Sequence, residues 1–149
     1  MNLLNNELLD SFIQIQKALY SLIKKDADRA GLTVVQVKAL YKIHRTPDVG
    51  LRELAGSLKL TNSTMSGVVD RLVAHQLLER HTSSADRRAI TLKLTRKGEE
   101  KLEEATGTDS SYTTKIMELT AMPQEDKDHL LRIHHLILDV LTAKEENKK

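Results

Sequence analysis

The chain has 149 residues, 40% of them apolar and 30% charged, which suits a soluble globular domain large enough to bury a core. It has no cysteine, which excludes disulfides, thiolate zinc sites and a thiol redox switch, and its 3% of aromatics argues against stacking single-stranded bases. The net charge of +2 hides an asymmetry: residues 61–97 hold seven Lys/Arg against three Asp/Glu, and residues 98–149 hold seven against twelve, so a basic middle suited to a polyanion precedes an acidic end.

The first seven residues lack the basic and apolar stretches of a secretory signal, and no run approaches the length of a membrane span. A cytoplasmic protein with no membrane partner is expected. Residues 7–25 read as a helix with two apolar stripes, Leu8, Phe12, Ile15, Leu19 and Leu22 beside Leu9, Ile13, Tyr20 and Ile23. Two stripes exceed what one packed face needs, so part of this helix is expected in the core or against a second subunit.

Gly31-Leu32-Thr33 ends that helix, and Thr33 caps the next, whose inner face is Val34, Val37, Leu40 and Ile43. A turn at Thr46–Gly50 leads to a short helix with Leu51, Leu54, Ala55 and Leu58 inward. Thr61 or Asn62 caps another helix with Met65, Val68, Val69 and Leu72 inward. Its opposite face carries Ser63, Thr64, Ser66 and Gly67. Merely solvated helix positions favour Glu, Lys or Gln, so small hydroxyl residues point to a surface that lies close against something.

Leu77–Arg80 and the alternating Ala89–Leu94 predict a hairpin whose tip holds Asp86, Arg87 and Arg88. A helix over about 96–120 follows, with a kink expected at the poor helix formers Thr106–Ser111. Pro123 opens a last helix, with Leu130, Ile133, Ile137 and Val140 in one stripe and Leu131, Leu138 and Leu141 alongside.

Helix, short helix, helix, hairpin is the order of a winged helix-turn-helix, a mainly α, α+β fold. The 61–75 helix then enters a major groove, with Asn62, Ser63 and Thr64 at the bases. The hairpin is the wing, and Arg87 and Arg88 stand where a narrow, electronegative minor groove lies. Asp86 can hold Arg88 outward. Residues 32–99 are assigned to DNA binding, and residues 1–31 and 100–149 to dimerisation helices that bury their stripes across a two-fold.

The stretch LRELAGSLKLTNSTMSGVVDRLVAHQLLERHTSSADRRAITLKLTRKG resembles the MarR family of bacterial transcriptional regulators. The matching pieces are Leu54-Ala55, Asp70-Arg71-Leu72, Leu78-Glu79-Arg80, Asp86-Arg87-Arg88, Leu94-Thr95 and Gly98. The resemblance implies a homodimeric repressor on a palindromic operator, and in many members release by a small phenolic or lipophilic ligand. It gives Asp86 and Arg88 wing roles, Ser63, Thr64 and Ser66 recognition-helix roles, and Thr33 a phosphate contact; Arg71 is a further candidate on the same helix. Two positions depart from the family. Gly67 stands where Arg or Lys is frequent, and Gln76 stands where Gly is usual.

A ligand cleft is expected between the first, second and fifth helices, near Tyr20, Tyr41 and Tyr112, where the rare aromatics pool. No metal is expected: His134 and His135 are adjacent and point to different faces, and no histidine pair with His129 has ligand spacing. No cofactor is implied. Nucleophile, phosphate-loop and zinc-protease motifs are absent, so the chain is not read as an enzyme. The remaining alternative is a winged helix used for protein–protein contact without specific DNA binding. Its recognition face would be apolar or acidic, which this one is not.

Overall fold

The computed structural model describes residues 6–83 and 90–143. Among them run α1 (Glu7–Arg29), α2 (Val34–Arg45), α3 (Leu51–Ser57), α4 (Asn62–Ala74), β1 (Leu78–Thr82), β2 (Ile90–Leu94), α5 (Arg96–Thr106), α6 (Ser111–Thr120) and α7 (Gln124–Thr142). The chain divides between Thr113 and Thr114 into two compact units.

In the first unit, capping side chains set the helix starts. Asn6 Oδ1 accepts the N–H groups of Leu8 and Leu9 at α1. Thr33 and Gln36 exchange side-chain and backbone bonds in a capping box at α2. Thr61, not Asn62, caps α4 by accepting the Thr64 N–H at 3.1 Å. Gly50 begins α3 with no side-chain bond. Helix α1 runs four residues past the expected 25, because the buried Ala27 and Ala30 continue its inner face with small side chains.

Three helices end in the same left-handed motif. Gly31, Lys59 and Gln76 have φ of 71°, 56° and 61°. After each, the next N–H reaches back to the third-last helical carbonyl: Leu32 to Ala27, Leu60 to Ala55, and Leu77 to Leu72. Gln76 therefore adopts the conformation that glycine takes without steric cost, which a side chain makes unfavourable by about 1 kcal/mol. The α5 start holds it there: the Thr95 hydroxyl donates to the Gln76 carbonyl at 2.6 Å and Lys97 Nζ to the His75 carbonyl at 3.0 Å.

The core joins α2, α3, α4 and the wing. Leu40, Leu54, Met65 and Leu72 are wholly buried, and Leu78 and Leu92 close it from the strands. Each such side chain contributes about 1.5–3 kcal/mol by leaving water. β1 and β2 pair antiparallel from Leu78 opposite Leu94 to Thr82 opposite Ile90. Gly50 bridges to Thr91 and the Leu92 N–H bonds the Val49 carbonyl, so the α2–α3 connection lies along the wing as a short third strand. That cover buries Thr91, while Ile90, beyond the core, stays exposed.

The single helix expected over 96–120 is two helices. Gly107–Ser110 interrupts it, within the stretch of poor propensity, and α6 restarts at Ser111 with Ser110 Oγ accepting the Thr113 N–H. The second unit holds the rest of α6 and α7. No residue of either helix is buried, and Leu119, Leu131, Leu138 and Val140 are all more than half exposed.

Candidate nucleic-acid interface and adjoining cavity

Helix α4 rests on α3 through Met65, Val69 and Leu72, which are buried. This turns Asn62, Ser63, Thr64 and Arg71 to solvent and leaves Ser66 and Gly67 half-buried. No acidic residue occupies the first turn, and Thr61 donates its hydroxyl proton to the Thr64 hydroxyl at 2.9 Å. The resulting face is a short run of amide and hydroxyl groups at a helix N-terminus, where free N–H groups favour anions. Downstream, Asp70 pairs with Arg80, whereas Arg71 has no acidic partner among the described residues. A Cβ at Gly67 would meet nothing within 4 Å, so the fold itself does not require glycine there.

Thr33 is exposed at the start of α2. Its oxygen accepts the Gln36 N–H at 3.2 Å, and among the described residues its proton has no recipient. Asp86, Arg87 and Arg88 lie outside the described residues.

A cavity of about 820 Å³ opens beside this assembly, within the first unit. Ile23 of α1, Val37, Tyr41 and Arg45 of α2, Leu58 after α3, Ala105 of α5 and Tyr112 of α6 line it. Tyr41 and Tyr112 are thus brought together. Tyr20 is not: it stands about one turn before Ile23 on α1, is 53% exposed, and does not line the cavity. It lies near Lys24, whose ammonium is held above its ordinary value by its hydrogen bond and attraction to Asp28. The cavity also holds Lys38 and Lys42, which sequence reading passed over. Their four-residue spacing, with Tyr41 between, was visible in the sequence as one helical stripe.

The cavity wall at Tyr112 is anchored from α1. Asp26, 2% exposed, accepts the N–H groups of Ser111 and Tyr112 at 2.9 and 2.7 Å. Arg29, one turn on, donates to the Glu104 carbonyl at 2.7 Å. An acid thus meets the start of α6 and a base the end of α5, each matching the helix dipole it faces. Among the described residues no group of three or more His, Cys, Asp or Glu could hold a metal, and no helix is long and apolar enough to cross a membrane.

Residues 32–90, from the end of the α1–α2 turn to the first residue of β2, match the model of the MarR family. The uncharacterized HTH-type transcriptional regulator YhbI of Bacillus subtilis strain 168 is 32% identical over 99 residues, 66% of this chain and 64% of that protein. Residues 32–90 thus carry a MarR-family domain. Members of the MarR family are transcriptional regulators, not enzymes. This chain spans just under two thirds of YhbI. The multiple antibiotic-resistance repressor MarR of Listeria monocytogenes 4b F2365 is 25% identical, with a TM-score of 0.61 over 92% of this chain and 93% of that one. Staphylococcus aureus MarR, solved with salicylate and kanamycin, shares the fold at 21% identity, with a TM-score of 0.73 over 94% and 93%.

Proposed function

We propose that this chain is a cytoplasmic, homodimeric MarR-family repressor that binds a palindromic DNA operator and releases it when a small molecule enters the cavity. The outer face of α4 carries the reading. Asn62, Ser63 and Thr64 project amide and hydroxyl groups from a helix end, with Ser66 and Gly67 behind them and, further along, Arg71, which has no acidic partner among the described residues. Such a face suits base edges in a major groove, and a protein-binding winged helix would present apolar or acidic groups instead.

In this reading Thr33 donates to a phosphate, and Arg87 and Arg88 enter the minor groove with Asp86 orienting Arg88. Most binding energy comes from cation–phosphate contacts and is therefore salt-dependent. The exposed apolar residues of α1, α6 and α7 are more than a monomer ordinarily leaves to water, which supports pairing across a two-fold. Two recognition helices about 34 Å apart then read successive major grooves.

The effector reading rests on the cavity. One wall is α2, part of the winged helix, and the other is the α5–α6 joint. A small phenolic or lipophilic molecule lodged between them shifts the winged helix against the helices that set the dimer spacing. The salicylate complex of S. aureus MarR is in keeping with this.

The test is fluorescence-anisotropy binding to genomic fragments flanking the gene, at several salt concentrations. Tight, salt-dependent binding to one fragment that random DNA competes poorly is the expected result. Weak binding without preference at every salt overturns the proposal.

A further inference from the structure

The cation row of α2 narrows what the cavity can hold, and the inference rests on the effector reading above. Tyr41 and Lys42 lie three and four residues after Lys38, and Arg45 lies four and three residues after them, so they form one stripe, and all four line the cavity. Among the described residues none of the three cations has a hydrogen-bonded or ion-paired acid. Four other helical cations are matched within a turn, Lys24 with Asp28, Arg96 with Glu100, Lys101 with Glu104, and Lys115 with Glu118, while Arg71, like this row, is not. Lys38 and Lys42 instead sit at i, i+4 with like charge, a spacing that opposes helix formation. The floor beneath them is apolar, with Ile23, Val37, Leu58 and Ala105.

We propose that the cavity is selective for an amphipathic anion, an aromatic or apolar body bearing a phosphate-type group of about two negative charges, held by Lys38, Lys42 and Arg45. The row extends roughly 10 Å along α2. A neutral phenol leaves all three cations unmatched, and a lone carboxylate offers two oxygens. A phosphate monoester offers three charged oxygens, which can accept from several cations together. The apolar body covers the floor, between Tyr41 and Tyr112.

The experiment is titration calorimetry of the full chain with 1-naphthyl phosphate and with 1-naphthol, which share a ring system and differ in charge. The expected result is at least about tenfold tighter binding of the phosphate, weakening as salt is added. Lys42→Gln, and separately Lys38→Gln, remove most of that preference and leave 1-naphthol binding and the melting temperature unchanged. Equal affinities, no binding of the phosphate, or variants that keep the preference overturn the proposal. So does a loss of operator affinity in Lys42→Gln without any small molecule, because the row then belongs to the DNA contact. A shift of Lys42→Gln toward monomer also overturns it, since an acidic partner surface is then the occupant. If the phosphate binds through Lys42 while the chain binds no operator, the regulatory reading falls and the anion site stands.

Discussion

The carboxylate of Asp26 accepts the backbone N–H of Tyr112 at 2.7 Å, joining α1 to the first turn of a helix 86 residues later. The same group takes the Ser111 N–H, and it is shut away from water. An ionised acceptor that satisfies two otherwise orphaned donors is worth more than a neutral bond. Asp26→Ala should lower stability by about 3 kcal/mol, and Asp26→Asn, which keeps one acceptor oxygen, by about half of that. Urea unfolding at fixed protein concentration measures both. Equal losses would mean that the oxygen Asn keeps contributes nothing, and no loss in Asp26→Asn would mean that the charge on Asp26 adds nothing.

Gln76 and Lys59 offer the opposite opportunity. Both hold left-handed backbone with a side chain attached. Gln76→Gly should raise stability by up to about 1 kcal/mol, and Lys59→Gly similarly, less what glycine adds to the freedom of the unfolded chain. Thermal unfolding reads the gain, while Gly31→Ala should show the corresponding loss.

Gly98 has a different reason to be glycine. A Cβ there would lie 2.1 Å from the Leu77 carbonyl oxygen, which is backbone at the root of the wing. Gly98→Ala must displace α5 from β1 and should cost about 2–3 kcal/mol. The loss should appear in the urea midpoint, and Gly56→Ala, where a Cβ meets nothing within 4 Å, should show none.

The two basic residues Arg88 and Lys97 should separate binding from folding. Lys97 is bonded to the His75 carbonyl, so Lys97→Ala should reduce stability by about 1 kcal/mol with little change in operator affinity. Arg88→Ala should weaken operator binding about tenfold or more and leave the melting temperature alone. Equal effects on affinity would remove the special role proposed for the wing.

Leu131 and Leu138 lie one above the other on α7, each 53% exposed. The double change Leu131→Lys and Leu138→Lys should shift the protein from dimer to monomer in sedimentation velocity, because two cations would have to be buried unpaired at the proposed interface. An unchanged sedimentation coefficient would place the interface elsewhere.

Much of this architecture was determined by sequence alone, wherever the physics is local. The cap at Thr33, a cap at Thr61 or Asn62, the inward faces of α2, α3 and α4, the break near Thr106 and the hairpin all follow from periodicity, capping chemistry and propensity within a few residues. The polar face of α4 was legible for the same reason, since turning Met65, Val69 and Leu72 inward leaves only one direction for Ser63 and Thr64. The tertiary structure decided what depends on distant segments meeting. Nothing near Asp26 signals that it caps α6, because its partners are backbone groups far along the chain. Three tyrosines looked alike in sequence, yet only Tyr41 and Tyr112 share the cavity, since that depends on the direction each helix presents rather than on rarity. Gln76 kept a glycine's conformation because Thr95 and Lys97 hold the carbonyls around it, a constraint that exists only once α5 has folded against the wing.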